Sequence, residues 1–295
     1  MSHCRSLDQD ELKHHPLPPV VEGDKNSHGK LLVIAGTREI AGAASICANA
    51  ALRAGAGKIT IATVASVAPL LGMAIPEARV VAVTETREGG FAHSAVATLA
   101  DMSSEYDAVV AGPGMSPTKV ATGLAASLCA IGRPLVLDAA LLHGLAPAAE
   151  HARAAHIPPI LLPHSGEMAS LIGCSPEEVE ADPLSCGHEA ARRYDALVLV
   201  KGPESHIVTP GGDSWKYRGG GPGLGVSGSG DTLAGILGGM LARGAGPLEA
   251  LLWSVWLHGE AGASLARKVG PIGFFAREIS GEVPALLART QPSFE

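Results

Sequence analysis

Short runs of consecutive apolar residues, rich in Val, Ile and Leu, alternate along the chain with longer Ala-rich stretches. KLLVIAG (30–36), KITIAT (58–63), YDAVVAGPG (106–114), RPLVLDAA (133–140), IPPILLPHSGE (157–167) and ALVLVKGP (196–203) read as strands, while AGAASICANAALRAGAG (41–57) has helical length. Apolar runs without strict alternation suit strands covered on both sides. The pattern predicts an α/β fold: a mainly parallel central sheet with helices on both faces, a three-layer sandwich. From residue 227 onward the pattern turns helical, through SGDTLAGILGGMLARG, PLEALLWSVWLHGEAGASLARK and AREISGEVPALLART.

Most of the predicted strands run into small or polar residues: Gly36-Thr37, Gly112-Pro113-Gly114, Asp138, His164 and Lys201-Gly202. In open α/β sheets the crevice at the carboxyl ends of the strands is where ligands bind. These residues are therefore expected on one edge of the sheet. VLVKGPESHIVTP (198–210) reads as a strand that turns tightly at Lys201-Gly202 and returns. The apolar run ITIATVASVAPLLGMAIP (59–76), broken by Pro69 and Gly72, reads as a strand and a short helix, not a membrane span.

Composition narrows the function. Of 295 residues 46% are hydrophobic but only 3% aromatic, so the core should be built from Ala, Leu, Val and Ile. A net charge of −7, with no basic run longer than Arg192-Arg193, argues against a nucleic-acid partner. Residues 1–23 have mixed charge and no apolar segment; they are expected to be a flexible leader before a single domain spanning 24–295. Five scattered cysteines without CxxC spacing suggest neither disulfides nor zinc, and point to the reducing cytoplasm. Trp253 and Trp256, close in sequence, suggest an apolar face for a homo-oligomer or a piece of the core.

GPGLGVSGSGDTLAG (221–235) carries the strongest chemical signal. A glycine-rich turn running into a helix leaves bare N–H groups at the positive end of the helix dipole, a seat for phosphate oxygens. There Asp231 can take a proton from a hydroxyl attacking a phosphoryl group, or it can merely complement the dipole. In LLPHSGEMASLIG (161–173), His164 and Glu167 stand at a helix mouth, as a substrate and metal-water contact or as an ordinary helix entry capped by Ser165. Asp138 ends a strand and can reach a magnesium ion through water or cap the next helix. Lys201 offers charge to a nucleotide or simply snorkels from a hairpin. For His258, a packed and hydrogen-bonded core histidine is the expected role.

Taken in order, LLVIAG…AGAA…ALRAGAGKITIAT, AVVAGPGM, PLVLDA, LLPHSGEMASLIG, VLVKG and GSGDTLAGILGGMLARG resemble the ADP- or ATP-dependent NAD(P)H-hydrate dehydratases, a branch of the ribokinase-like superfamily, over roughly residues 24 to 290. The resemblance implies a ribokinase-like fold and repair of NAD(P)HX, with ADP or ATP as co-substrate and Mg2+ as cofactor. It implies that Ala43, Gly114, His164 and Asp231 border the hydrated nicotinamide nucleotide, and that Lys201, Gly202, Pro203, Glu204, Ser205 and Gly230 border the adenine nucleotide. Asp231 becomes the catalytic base, and the backbone of Gly228, Ser229 and Gly230 an anion hole. Epimerisation of NAD(P)HX is expected from a separate chain.

Five positions, in four places, depart from the family pattern. Asp24-Lys25-Asn26 replaces His-Lys-Gly, Ala140 a second aspartate, Gly221 an asparagine, and Ser205 a threonine. Two alternatives stay open beside the dehydratase: a kinase of the same fold acting on a hydroxymethyl group, and a nucleotide-binding protein without catalysis.

Overall fold

Seven of the strands form one parallel block whose interior is almost wholly apolar, as the unbroken hydrophobic runs require. A computed structural model describes residues 4–19, 22–23, 25 and 27–290. Its strands are β1 (Arg5–Ser6), β2 (Lys30–Ile34), β3 (Lys58–Val64), β4 (Ala78–Val83), β5 (Ala108–Ala111), β6 (Leu135–Leu137), β7 (Ile160–Leu161), β8 (Leu197–Val200), β9 (Ser205–Val208) and β10 (Ser214–Tyr217). They form one sheet in the order β1-β10-β9-β8-β7-β6-β5-β2-β3-β4. Strands β2 to β8 pair with one another in parallel, and β9 runs antiparallel to both β8 and β10.

The chain leaves β2 toward β3 and β4, then crosses back to β5 and proceeds the other way to β8. Crossovers of fixed right hand therefore place the first helix and the later ones on opposite faces. Helices Ala41–Arg53, Ser229–Ala242, Pro247–Lys268 and Ala276–Thr290 pack together as one group, and Ala95–Ser103, Lys119–Cys129, Ala140–Leu145, Ser165–Ile172 and Pro183–Tyr194 as another. The reversal between β2 and β5 opens a crevice at their carboxyl ends. Gly36 and Pro113 are joined there by a 2.8 Å backbone hydrogen bond.

The Ser229–Ala242 helix is buried along nearly its whole length. Its glycines explain how it fits. A Cβ at Gly235 would stand 2.2 Å from the Cys47 carbonyl oxygen, and one at Gly238 2.5 Å from Val110 Cγ2. Glycine thus lets the helix press against its neighbour on one side and the sheet on the other, which outweighs its poor helix propensity.

Residues 4–19 correct the expectation of a flexible leader. β1 adds to β10 in parallel, Asp8 caps the helix Gln9–Leu12, and Leu7 and Leu12 are buried in the main core. Trp215 Nε1 donates to Glu11 at 2.7 Å and Trp253 Nε1 to the His15 carbonyl at 2.7 Å. Two indole donors find their partners in this segment, which a reading of its mixed charge did not reveal. Trp253 and Trp256 are buried and meet edge to face, so they belong to the core and the homo-oligomer loses that ground. Asp24 and Asn26 lie outside the described residues.

Because backbone blocks any Cβ at residue 235, Gly235→Ala should lower unfolding free energy by about 1–3 kcal/mol, the usual cost of overpacking. A reduced denaturation midpoint in urea would register it; an unchanged midpoint would contradict the packing described.

Candidate functional site

At the carboxyl edge of the sheet, β6, β8 and the helix after β7 each bring one charged side chain to a common point. Asp138 follows β6, Glu167 lies in the first turn of Ser165–Ile172, and Lys201 follows β8. Lys201 Nζ lies 2.9 Å from Asp138 and 3.7 Å from Glu167, both of which are buried. Burial alone would lower the Lys201 pKa, but the charges of Asp138, Glu167 and Asp231 outweigh it and the net shift is upward. The ammonium therefore stays charged.

The local backbone is tightly determined. A Cβ at Gly112 would fall 1.9 Å from the Asp138 carbonyl oxygen, so only glycine lets β5 pass the end of β6. Ala139 takes a positive φ of 48° immediately after Asp138. Such strain persists only where surrounding packing imposes it. Ala140 begins the next helix and is buried.

His164, not Ser165, caps the helix Ser165–Ile172. Its Nδ1 accepts from the N–H of Gly166 at 3.0 Å and of Glu167 at 3.3 Å, while Glu167 accepts from the His164 N–H at 2.9 Å. With Nδ1 accepting, the neutral imidazole carries its proton on Nε2, 3.4 Å from Glu167 Oε1. The histidine ring is thus fixed at the cavity wall.

Gly228, at φ +91°, starts the Ser229–Ala242 helix. The Ser229 N–H is taken by the Val226 carbonyl at 3.1 Å and the Thr232 N–H by Gly228 at 3.0 Å. The N–H groups of Gly230 and Asp231 lie in the turn that a helix cannot satisfy internally. Gly230 thus keeps its place in the expected anion hole and Asp231 adds a second donor, whereas the Ser229 N–H, expected there too, is already bonded. Asp231 follows directly, with Oδ2 3.8 Å from where a Cβ of Gly228 would be. Burial, then the Asp138 charge, raises its pKa to about 6 against the opposing pull of Lys201. A carboxylate poised there is a proton acceptor matched to neutral pH.

Beside this cluster lies a cavity of about 910 Å³. Lys201, Gly202, Pro203, Ser205 and Gly230, expected at the adenine nucleotide, all line it, as does His164. Glu204 turns elsewhere, to His206 Nε2 at 3.1 Å and to Arg218. Gly221 lines it with φ 72° and ψ −179°, a conformation open essentially to glycine alone. Ala43 and Gly114 face the β2/β5 crevice instead: a Cβ on Gly114 would be 2.6 Å from that of Ala43. Asp231 follows the cavity-lining Gly230 directly in the chain.

Two lining residues carry no sequence signal. His258 Nε2 contacts Ser229 Oγ at 3.0 Å, and Tyr217, whose hydroxyl donates to Glu260 at 3.1 Å, lies against Gly219 and Gly259. His258 is indeed packed and hydrogen-bonded, but its partner is the glycine-rich turn. Among the described residues no group of three or more His, Cys, Asp or Glu is arranged to hold a metal ion directly, and no helix is long and apolar enough to cross a membrane.

A family model described as NAD(P)H-hydrate dehydratase matches residues 31–285. An ADP-dependent (S)-NAD(P)H-hydrate dehydratase of Xanthomonas campestris is 42% identical over 292 residues, 97% of this chain and 96% of the relative. A bifunctional NAD(P)H-hydrate repair enzyme of Escherichia coli is 31% identical over 92% of this chain, which spans 50% of that protein. Among solved structures, an ADP/ATP-dependent NAD(P)H-hydrate dehydratase from Bacillus subtilis, co-crystallised with ATP and Mg2+, has a TM-score of 0.81 at 24% identity, covering 99% of this chain and 100% of the other. A ribokinase-like superfamily protein from Enterococcus faecalis gives a TM-score of 0.80 at 22% identity, over 98% and 97% of the two chains. These structural likenesses establish the fold.

The Asp231 carboxyl should titrate near 6 by NMR, not near the ordinary 3.8. Since the folded state keeps this proton to higher pH than the unfolded chain, the group's contribution to stability is greatest below about pH 4 and is lost as pH rises to about 6. Asp231→Asn should therefore raise the melting temperature at pH 8, and Lys201→Met should move the Asp231 titration upward.

Proposed function

The chain belongs to the NAD(P)H-hydrate dehydratase family, and we propose that it catalyses the ADP- or ATP-dependent dehydration of the S epimer of NAD(P)HX to NAD(P)H. The carrying observation is Asp231: a carboxylate with its pKa raised to about 6, beside bare helix N–H groups and an ammonium, next to a cavity large enough for a nucleotide.

The nucleotide fits the cavity with its base against Tyr217, Pro222, Leu224 and Val255, the apolar part of the lining, and its phosphates toward Lys201 and Gly230. The hydrated ring enters from the crevice, past Ala43 and Gly114, with His164 on the opposite side. The ring hydroxyl attacks the terminal phosphoryl group as Asp231 takes its proton, and the nucleotide leaves one phosphate shorter. The N–H groups of Gly230 and Asp231 receive the charge that grows on the phosphoryl oxygens. The ring nitrogen then expels phosphate and a proton leaves the adjacent carbon, restoring the double bond. Hydroxide is a poor leaving group; phosphorylation replaces it with a good one.

Mg2+ suits this site in one way only. It commonly binds through substrate phosphates, one or two carboxylates and several waters. Asp138 and Glu167 would hold such an ion through water while Lys201 occupies the space between them, and the ion would supply charge neutralisation at the phosphates. Epimerisation of the R form is expected from a partner activity. The free cysteines suit the cytoplasm, where the nicotinamide nucleotides reside.

Incubation with hydrated NADH, Mg2+ and ADP or ATP should restore the reduced-nicotinamide absorbance. Asp231→Asn should lower turnover by about 100-fold or more, as loss of a general base commonly does. No recovery with either nucleotide defeats the dehydratase assignment, and phosphate retained on a different acceptor identifies a kinase instead.

A further inference from the structure

Ser229 differs from the serines that bond back along their own helix. Ser103, Ser127 and Ser254 each turn their hydroxyl back onto the carbonyl four residues earlier, at 2.6, 2.9 and 2.6 Å. Ser229 Oγ instead meets His258 Nε2 at 3.0 Å, and the same nitrogen lies 3.1 Å from the Ser229 carbonyl oxygen. A carbonyl oxygen has lone pairs and no hydrogen to give. A bare Nε2 at that distance would set lone pair against lone pair, so Nε2 must carry the proton and share it between the carbonyl and Oγ. Oγ is then an acceptor, and its own hydrogen points away from the histidine.

Burial lowers the His258 pKa to about 4, so the ring is neutral at working pH and this tautomer persists. Ser229 and His258 both line the large cavity, and Gly230, with its available N–H, is the next residue. We infer that the Ser229 hydroxyl is a side-chain donor to the transferring phosphoryl group, and that His258 is the positioning residue that turns it outward. This rests on the phosphoryl-transfer step of the proposed function. It adds to the backbone donors a group that the glycine-rich turn alone does not imply.

The tests use the full chain. Ser229→Ala should lower the turnover number by about 10- to 100-fold, toward the loss seen when one oxyanion donor is removed, while the KM for ADP changes less than about threefold. His258→Met should cause a loss of similar size, the double variant no more than either single change, and His258→Gln, whose amide can still donate, should recover most of the rate. Independently of turnover, 15N NMR should place the His258 proton on Nε2 near pH 7. Ser229→Ala should also weaken binding of ADP with aluminium fluoride, a phosphoryl-transfer mimic, by at least about tenfold while sparing AMP. A proton on Nδ1, multiplicative losses in the double variant, or aluminium fluoride binding within twofold of wild type overturns the inference. A wild-type protein that shows the NMR and binding signatures but restores no NADH defeats the dehydratase reading alone.

Discussion

Three carboxylates from separate parts of the chain share a single ammonium. Lys201 is paired directly with Asp138 and Glu167 and feels the charge of Asp231. Buried carboxylates of one sign are costly, and removing one partner of a buried pair leaves an uncompensated charge. The ends of β6, β7 and β8 and the start of the Ser229–Ala242 helix are therefore electrostatically dependent on one side chain. The same arrangement sets the acids apart: Asp138 and Glu167 take the close contacts with Lys201, while burial and the Asp138 charge raise the pKa of Asp231 to about 6.

Backbone geometry makes that convergence achievable. Gly112 allows β5 to pass the Asp138 carbonyl, and Gly235 and Gly238 bring the Ser229–Ala242 helix against its neighbours. The glycine-rich stretch thus has two separate roles. Its first residues expose N–H groups, whereas its later ones remove side chains so that the helix carrying Asp231 can be seated.

Much of this was legible in the sequence because it is local. Apolar runs gave away the parallel strands, and their polar ends identified the edge where Asp138, His164 and Lys201 meet. The hairpin at 198–210 was visible in its turn residues. What escaped depends on long-range partners. β4 is a half-exposed edge strand containing Arg79, and β1 has only two residues; neither shows a hydrophobic period. Glu204 sits in the bend between cavity-lining residues yet pairs with Arg218 and His206, partners that its own stretch of sequence does not reveal. His258 is 29 residues from Ser229, with no spacing rule to connect them.

The segment once expected to trail free also has a mechanical meaning. It grips Trp215, two residues before Tyr217 on β10, and Trp253, two before Val255 on the Pro247–Lys268 helix. Tyr217 and Val255 line the large cavity. The cavity wall is consequently sprung from behind by the beginning of the chain. A polypeptide joined ahead of Arg5 would be in series with that wall, so a pull on the joint would load the pocket directly.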